Sequence, residues 1–170
     1  MSRTKPTIYL DTSVLSSLHY RGHALQGIAR QIRTEEWWKQ ERQFFDLYVS
    51  RVVPDELEHG TYRAQDKALR ETRRITFLPV LRSARAASAE YVAARIVPES
   101  VVHDALQLAV ATVHRMDYLI TWNCAHLANP EVQVRLRAVN SRLHLRTPWL
   151  VTPDSIPRVL LGQPVRRTDE

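Results

Sequence analysis

A single cysteine, Cys124, stands among the 170 residues, so no internal disulfide can form and neither a disulfide scaffold nor a cysteine-rich zinc site fits. A reducing cytoplasm is the expected compartment. The opening residues Met1 to Pro6 include Arg3 and Lys5, but they lead into an apolar run too short for a signal-peptide core. No stretch reaches the length that crosses a bilayer, and no membrane partner is expected. There is no glycine-rich phosphate loop with its lysine, no G-x-S-x-G elbow and no H-E-x-x-H pair. His103, His114 and His126 are too scattered for a zinc site and read as surface or capping residues. Internal repeats, low-complexity blocks and linkers are missing as well.

What remains is enough for one ordinary domain. At 44% hydrophobic residues the chain can bury a real core. The expected domain runs over residues 1–161, with a polar, loose tail at 162–170. A formal charge of +6 suits contact with a polyanion, because Lys and Arg beside phosphates release condensed counterions. A merely soluble basic surface has the same charge.

Strand and helix signals alternate along the chain. Thr7 to Leu10 reads as a strand, and Asp11-Thr12-Ser13 offers capping oxygens for a following helix. One or two amphipathic helices are expected between Ala24 and Tyr48, with the start blurred by Gly22 and Gly27. Ser50 to Val53 is a second strand candidate, stopped by Pro54, with a short acidic helical turn from Asp55 to Glu58 ending near Gly60. Gln65 to Arg74 suits a charged helix, and Ile75 to Val80 a strand that Pro79 places near an edge. Helix follows from Ser83 to Arg95. After Pro98, Ser100 is expected to cap the most apolar helix, which runs to about Arg115. Tyr118 to Thr121 is a strand, Pro130 opens a helix to about Leu143, Trp149 to Val151 is a last strand, and Pro153-Asp154 opens a short last helix. Strands separated by helices argue an α/β fold with a mainly parallel sheet covered on both faces.

Four polar residues share one property. Asp11, Glu56, Asp104 and Asn123 each lie just after an expected strand or in the first turn of a helix beside one. In a parallel sheet such positions gather at the carboxyl edge, where ligands bind. Magnesium and manganese take hard oxygen ligands, and a cation lets a polyanionic backbone approach acids that would repel it. Each residue also has a plainer explanation. Asp11 suits a helix cap, Glu56 and Asp104 suit helix N-termini, Asn123 suits a turn, and Glu58 competes with Glu56. Trp37 and Trp38 read as core or partner contacts.

The stretches Ile8–Leu15, Val53–Gly60, His103–Ala109 and Asp117–Asn129 together resemble the PIN-domain family, in particular its toxin-like members of the VapC type. The resemblance implies a three-layer α/β/α domain whose acidic pocket binds Mg2+ or Mn2+ and hydrolyses RNA phosphodiesters. It implies that Asp11, Glu56 and Asp104 are catalytic residues and metal ligands, with Asn123 the fourth member of the metal set. Asn123 stands where many members have another Asp; an amide binds a cation less strongly and cannot act as a base. Thr12 and Thr121 resemble supporting hydroxyl positions. Arg21, Arg63, Arg73 and Arg74 are candidates to hold the RNA. A small antitoxin protein that covers the pocket is a further implication, and homodimers are common in the family. Two other expectations stay open: a PIN-like RNA-binding module with weak or lost catalysis, and a housekeeping PIN nuclease without an antitoxin.

Overall fold

The computed structural model of the protein describes residues 5–60 and 64–156. Its centre is one five-stranded sheet, built from β1 (Thr7–Leu10), β2 (Asp46–Ser50), β3 (Thr76–Leu78), β4 (Tyr118–Ile120) and β5 (Trp149–Val151). The strand order is β3-β2-β1-β4-β5, and every pairing is parallel. Parallel neighbours need crossovers, and helices supply them: α1 (Thr12–Leu18), α2 (Leu25–Gln40), α3 (Val52–His59), α4 (Gln65–Thr72), α5 (Arg82–Ala93), α6 (Val102–Val113) and α7 (Pro130–Arg142). The result is the expected three-layer α/β/α arrangement.

Burial follows from that layering. The central strands are covered on both faces, so Ile8, Tyr9, Leu10, Leu119 and Ile120 are fully buried. Edge strands differ: Phe77 on β3 and Trp149 on β5 remain exposed. Trp37, Phe45 and Tyr118 form a chain of ring contacts with centroids 6.4 and 6.3 Å apart, so Trp37 is a core residue. Among the described residues no helix is long and apolar enough to cross a membrane.

Glycine scarcity shows at the helix ends. Arg95, Arg115 and His144, which follow α5, α6 and α7, all sit at positive φ, between 54° and 58°. In each case the next amide reaches back to close the last turn: Ile96 N to Tyr91 O, Met116 N to Ala111 O and Leu145 N to Asn140 O. This is the left-handed ending that glycine usually fills, held here by residues with a Cβ.

Several expected boundaries need correction. The helical reading of Ala24 to Tyr48 stops at Gln40; a short 3-10 turn at Arg42–Phe44 follows, and the chain has entered β2 by Asp46. The second strand is therefore Asp46–Ser50 and not Ser50–Val53. Pairing decides it, since Thr7, Ile8 and Tyr9 stand opposite Asp46, Leu47 and Tyr48. Val52 and Val53 are buried as the start of α3, and Pro54 fits inside that helix's first turn, where no intrahelical donor is lost. Ser100 does not cap α6: it lies in a 3-10 turn at Glu99–Val101, and α6 begins without a side-chain cap. Pro153 to Ile156 form turns rather than a helix, and the tail at 162–170 lies outside the described residues. Asn129 caps α7 by accepting from Glu131 N at 2.9 Å, with Pro130 at its first position.

Candidate active site

The chain moves outward from β1 through β2 to β3, then returns to the other side of β1 for β4 and β5. The gap where the order reverses lies between β1 and β4, and α/β sheets bind ligands at the carboxyl end of such a gap. Asp11 follows the last residue of β1 and Thr121 the last residue of β4. The ladder runs on past both strands, with Asp11 N donating to Ile120 O at 3.1 Å and Thr121 N to Val151 O at 2.9 Å.

Asp11 is 3% exposed, and the hydrogen bonds its carboxylate takes from the described residues all fall on Oδ2. That oxygen accepts from the Thr121 hydroxyl at 2.6 Å, from the Ser13 hydroxyl, and from Ser13 N at 3.3 Å. The last bond makes Asp11 the N-cap of α1, so the cap reading holds alongside the site reading. The Ser13 hydroxyl also accepts from Trp122 N at 2.9 Å, which ties the start of α1 to the turn after β4.

Glu56, one turn into α3, is braced in the same way. Its Oε2 accepts from the Thr12 hydroxyl and, at 2.7 Å, from Gln107 Nε2. Glu58 is exposed and makes no such contact, so Glu56 is the acid that faces α1 and α6. Asp104, in the first turn of α6, accepts on Oδ2 from Asn123 Nδ2 at 2.6 Å. The Asn123 carbonyl oxygen in turn accepts from His126 N at 3.1 Å.

The electrostatics follow from burial and like charge. Burial pushes the Glu56 carboxyl above the usual carboxylate range; the Thr12 hydroxyl opposes this and the Asp11 charge adds to it. Asp104 is pushed up to about 7, first by burial and then by the charges of Asp11 and Glu56, against the Asn123 amide. None of the ion pairs among the described residues includes Asp11, Glu56 or Asp104. Each is held through one oxygen by neutral donors. Asp11 Oδ1, Glu56 Oε1 and Asp104 Oδ1 take no hydrogen bond from the described chain.

The donor set suits a hard cation, since it consists of carboxylate oxygens with no thiolate and no imidazole. As placed, no three His, Cys, Asp or Glu side chains among the described residues converge on one point. Magnesium commonly takes only one or two carboxylates directly and keeps several waters.

The structure thus brings together Asp11, Thr12, Glu56, Asp104, Thr121 and Asn123. It adds two residues that sequence reasoning missed. Ser13 bonds Asp11 and Trp122, and its position in Asp-Thr-Ser was the available signal. Gln107 bonds Glu56 and Thr12; its signal was a polar side chain one turn after Asp104 on an otherwise apolar helix. Arg21, Arg73 and Arg74 are exposed, with Arg74 paired to Glu71 at 3.5 Å. Arg63 lies outside the described residues.

Comparisons with known proteins bear on the family and the fold. A family model described as PIN domain matches residues 8–123. Among solved structures, the chain is similar to VapC20 of Mycobacterium tuberculosis, described as a sarcin-ricin-loop-cleaving toxin, at 19% identity and a TM-score of 0.51, covering 66% of this chain and 86% of that one. It is also similar to VapBC2 from Rickettsia felis bound to a DNA fragment of its promoter, at 10% identity and a TM-score of 0.47, covering 86% of this chain and 98% of that one. No curated protein matches significantly.

Proposed function

The chain belongs to the PIN domain family, and from that premise we propose that it is a metal-dependent endoribonuclease acting at the Asp11, Glu56 and Asp104 cluster. One observation supports this reading above the others. Three carboxylates are each braced through one oxygen by neutral donors, and among the described residues none donates to the other oxygen and no cation forms an ion pair with them. Capping and bracing need no group of acids together, and like charges withdrawn from water repel and lose hydration. A divalent cation relieves both costs.

Asp11 and Asp104 would hold Mg2+ or Mn2+, with Glu56 and Asn123 completing the set. When bound, such an ion polarises a phosphate oxygen and lowers the pKa of a coordinated water. Asp11 is kept in place by Ser13 and Thr121, so its free oxygen has a fixed direction. Glu56 orients the attacking water or takes its proton. Thr12 and Thr121 hold the acids rather than free hydroxyls toward solvent, since both donate to a carboxylate.

The biological role that fits is the toxin of a type II toxin–antitoxin pair, with a small antitoxin protein as partner and RNA as substrate. VapC20, which shares the fold, is described as cleaving the sarcin-ricin loop. A second reading, an RNA-binding module with weakened catalysis, is favoured by one feature: both ends of the Asn123 amide are engaged, by Asp104 and by His126 N.

Cleavage of a mixed RNA pool separates the two. With added Mg2+ or Mn2+ the wild-type protein should cut, and EDTA, Asp11→Asn or Asp104→Asn should stop it. RNA binding without metal-dependent cutting would establish the binding module instead. Growth arrest on expression, relieved by the product of a small neighbouring gene, distinguishes a toxin from a housekeeping nuclease.

A further inference from the structure

We propose that Gln107 is a positioning residue for this nuclease site, fixing the direction of the Glu56 carboxylate through its amide N–H groups; this rests on the nuclease reading above. Gln107 lies in α6, three residues after Asp104, and therefore on the same face of the helix. It is 0% exposed, and Ala105, Leu108, Ala109, Val110 and Ala111 around it are equally buried. Its Nε2 donates to Glu56 Oε2 at 2.7 Å and to Thr12 Oγ1 at 3.2 Å, while the Thr12 hydroxyl donates to the same Glu56 oxygen. Three side chains from α1, α3 and α6 thus close a triangle around one carboxylate oxygen.

The other half of the amide shows what it is for. Gln107 Oε1 is buried and accepts no hydrogen bond from the described residues. At a fully buried helix position, Leu or Met fills the space without leaving a carbonyl unmet, so packing alone favours an apolar residue. The N–H half of Gln107 is spent entirely on Glu56 and Thr12. A lysine or arginine in its place would also hold Glu56, but it would neutralise the cluster and compete with a cation. A neutral amide holds the acid and leaves its charge available.

Glu56 needs holding, because a glutamate side chain has several rotamers and the charges of Asp11 and Asp104 push it away. Removing the brace should cost turnover while leaving RNA affinity nearly intact.

The test is a double-mutant cycle of Gln107→Met and Glu56→Gln, read as kcat and KM on an RNA substrate with Mn2+, Mn2+ affinity by calorimetry, and Tm without metal. Gln107→Met should lower kcat about tenfold and weaken Mn2+ binding by about as much, as loss of a partner that orients a metal ligand commonly does. KM for RNA and Tm should hold or, for Tm, rise. In the Glu56→Gln background the same change should add no further loss. Equal losses in both backgrounds, an unchanged kcat, or a fall in Tm that accounts for the lost activity overturns the proposal. If Gln107→Met does not fold, Gln107→Asn keeps the amide but cannot reach Glu56 and should show the same kinetic defect; wild-type kcat in that variant overturns the proposal. Should the wild-type protein fail to cut RNA with either metal, the nuclease reading falls, and Mn2+ affinity decides for Gln107. Manganese binding that is equal in wild type and Gln107→Met, or absent from both, overturns the positioning role.

Discussion

Strands β1 and β4 are linked through aspartates at both of their ends, and the two ends treat their acids in opposite ways. At the amino end, Asp117 just before β4 accepts from Thr7 N at 2.9 Å and from the Thr7 hydroxyl at 3.0 Å on one oxygen, and from Arg146 Nη2 at 2.7 Å on the other. Its own amide donates back to the Thr7 hydroxyl at 3.0 Å. Burial alone would raise the Asp117 carboxyl, but the Thr7 donors and Arg146 outweigh it and hold the group below the usual carboxylate range. At the carboxyl end, Asp11, Glu56 and Asp104 have neutral donors on one oxygen each and, among the described residues, no ion pair. Burial is common to both ends. What separates the structural acid from those proposed to be reactive is whether every oxygen is claimed and the charge answered.

Removing one acid at each end should expose that contrast most strongly. Asp117→Ala should destabilise the fold by about 2 kcal/mol, as expected for lost hydrogen bonds to a charged group, and should leave RNA cleavage per folded molecule unchanged. Asp104→Asn should do the reverse: metal-free stability should hold or rise, because a repelled buried charge is gone, while cleavage falls on the order of 100-fold or more. Thermal unfolding and cleavage rates on the same preparations check both. Equal loss of stability in the two variants would mean that the acidic cluster is structural after all.

The pH dependence of stability should also differ in sign. Asp117 has a lowered folded pKa, so its contribution is complete above the ordinary value near 3.8 and is lost as pH falls through the folded value. Asp104 has a raised pKa of about 7, so the folded protein binds the extra proton between about 3.8 and 7. Stability from this group therefore declines as pH rises through that window and is lowest above it. In EDTA, wild type should melt at a higher temperature at pH 6 than at pH 8, and Asp104→Asn should lose much of that difference. Added Mn2+ should lift the melting temperature mainly at the higher pH, where the cluster is charged.

Much of this was legible from local sequence and some was not. The strand that leads into Asp11, the break at Pro98 and the opening of α7 at Asn129-Pro130 are local signals, and the structure keeps them. The second strand was misplaced because apolar residues stand on both sides of Ser50-Arg51, Leu47 to Val49 before and Val52-Val53 after, and only pairing with β1 decides where strand gives way to helix. Gln107 escaped notice because its partner Glu56 lies 51 residues away, and of the two contacts of Ser13 only the bond from Trp122, 109 residues away, is hidden from local sequence, since Asp11 is two residues before it. Asp117 read as the residue before a strand, and nothing near it in sequence points to Thr7, 110 positions away. Sequence placed the acids at one edge of the sheet; apart from Ser13 beside Asp11, the donors that hold them are tertiary facts.

The smallest effects should divide the support of Asp117 between its two partners. Arg146 is 51% exposed at its side chain, so its ion pair is screened by water and salt, and Arg146→Ala should cost only about 0.5 kcal/mol, less as salt is raised. Thr7→Val removes the hydroxyl that both donates to Asp117 and accepts from its amide, and should cost about 1 kcal/mol with little salt dependence. Denaturant unfolding at low and high salt measures both. A larger cost for Arg146→Ala would show that the charge secures this end of the sheet. The contrast with the acidic cluster would then rest on the missing cation more than on the unclaimed oxygens.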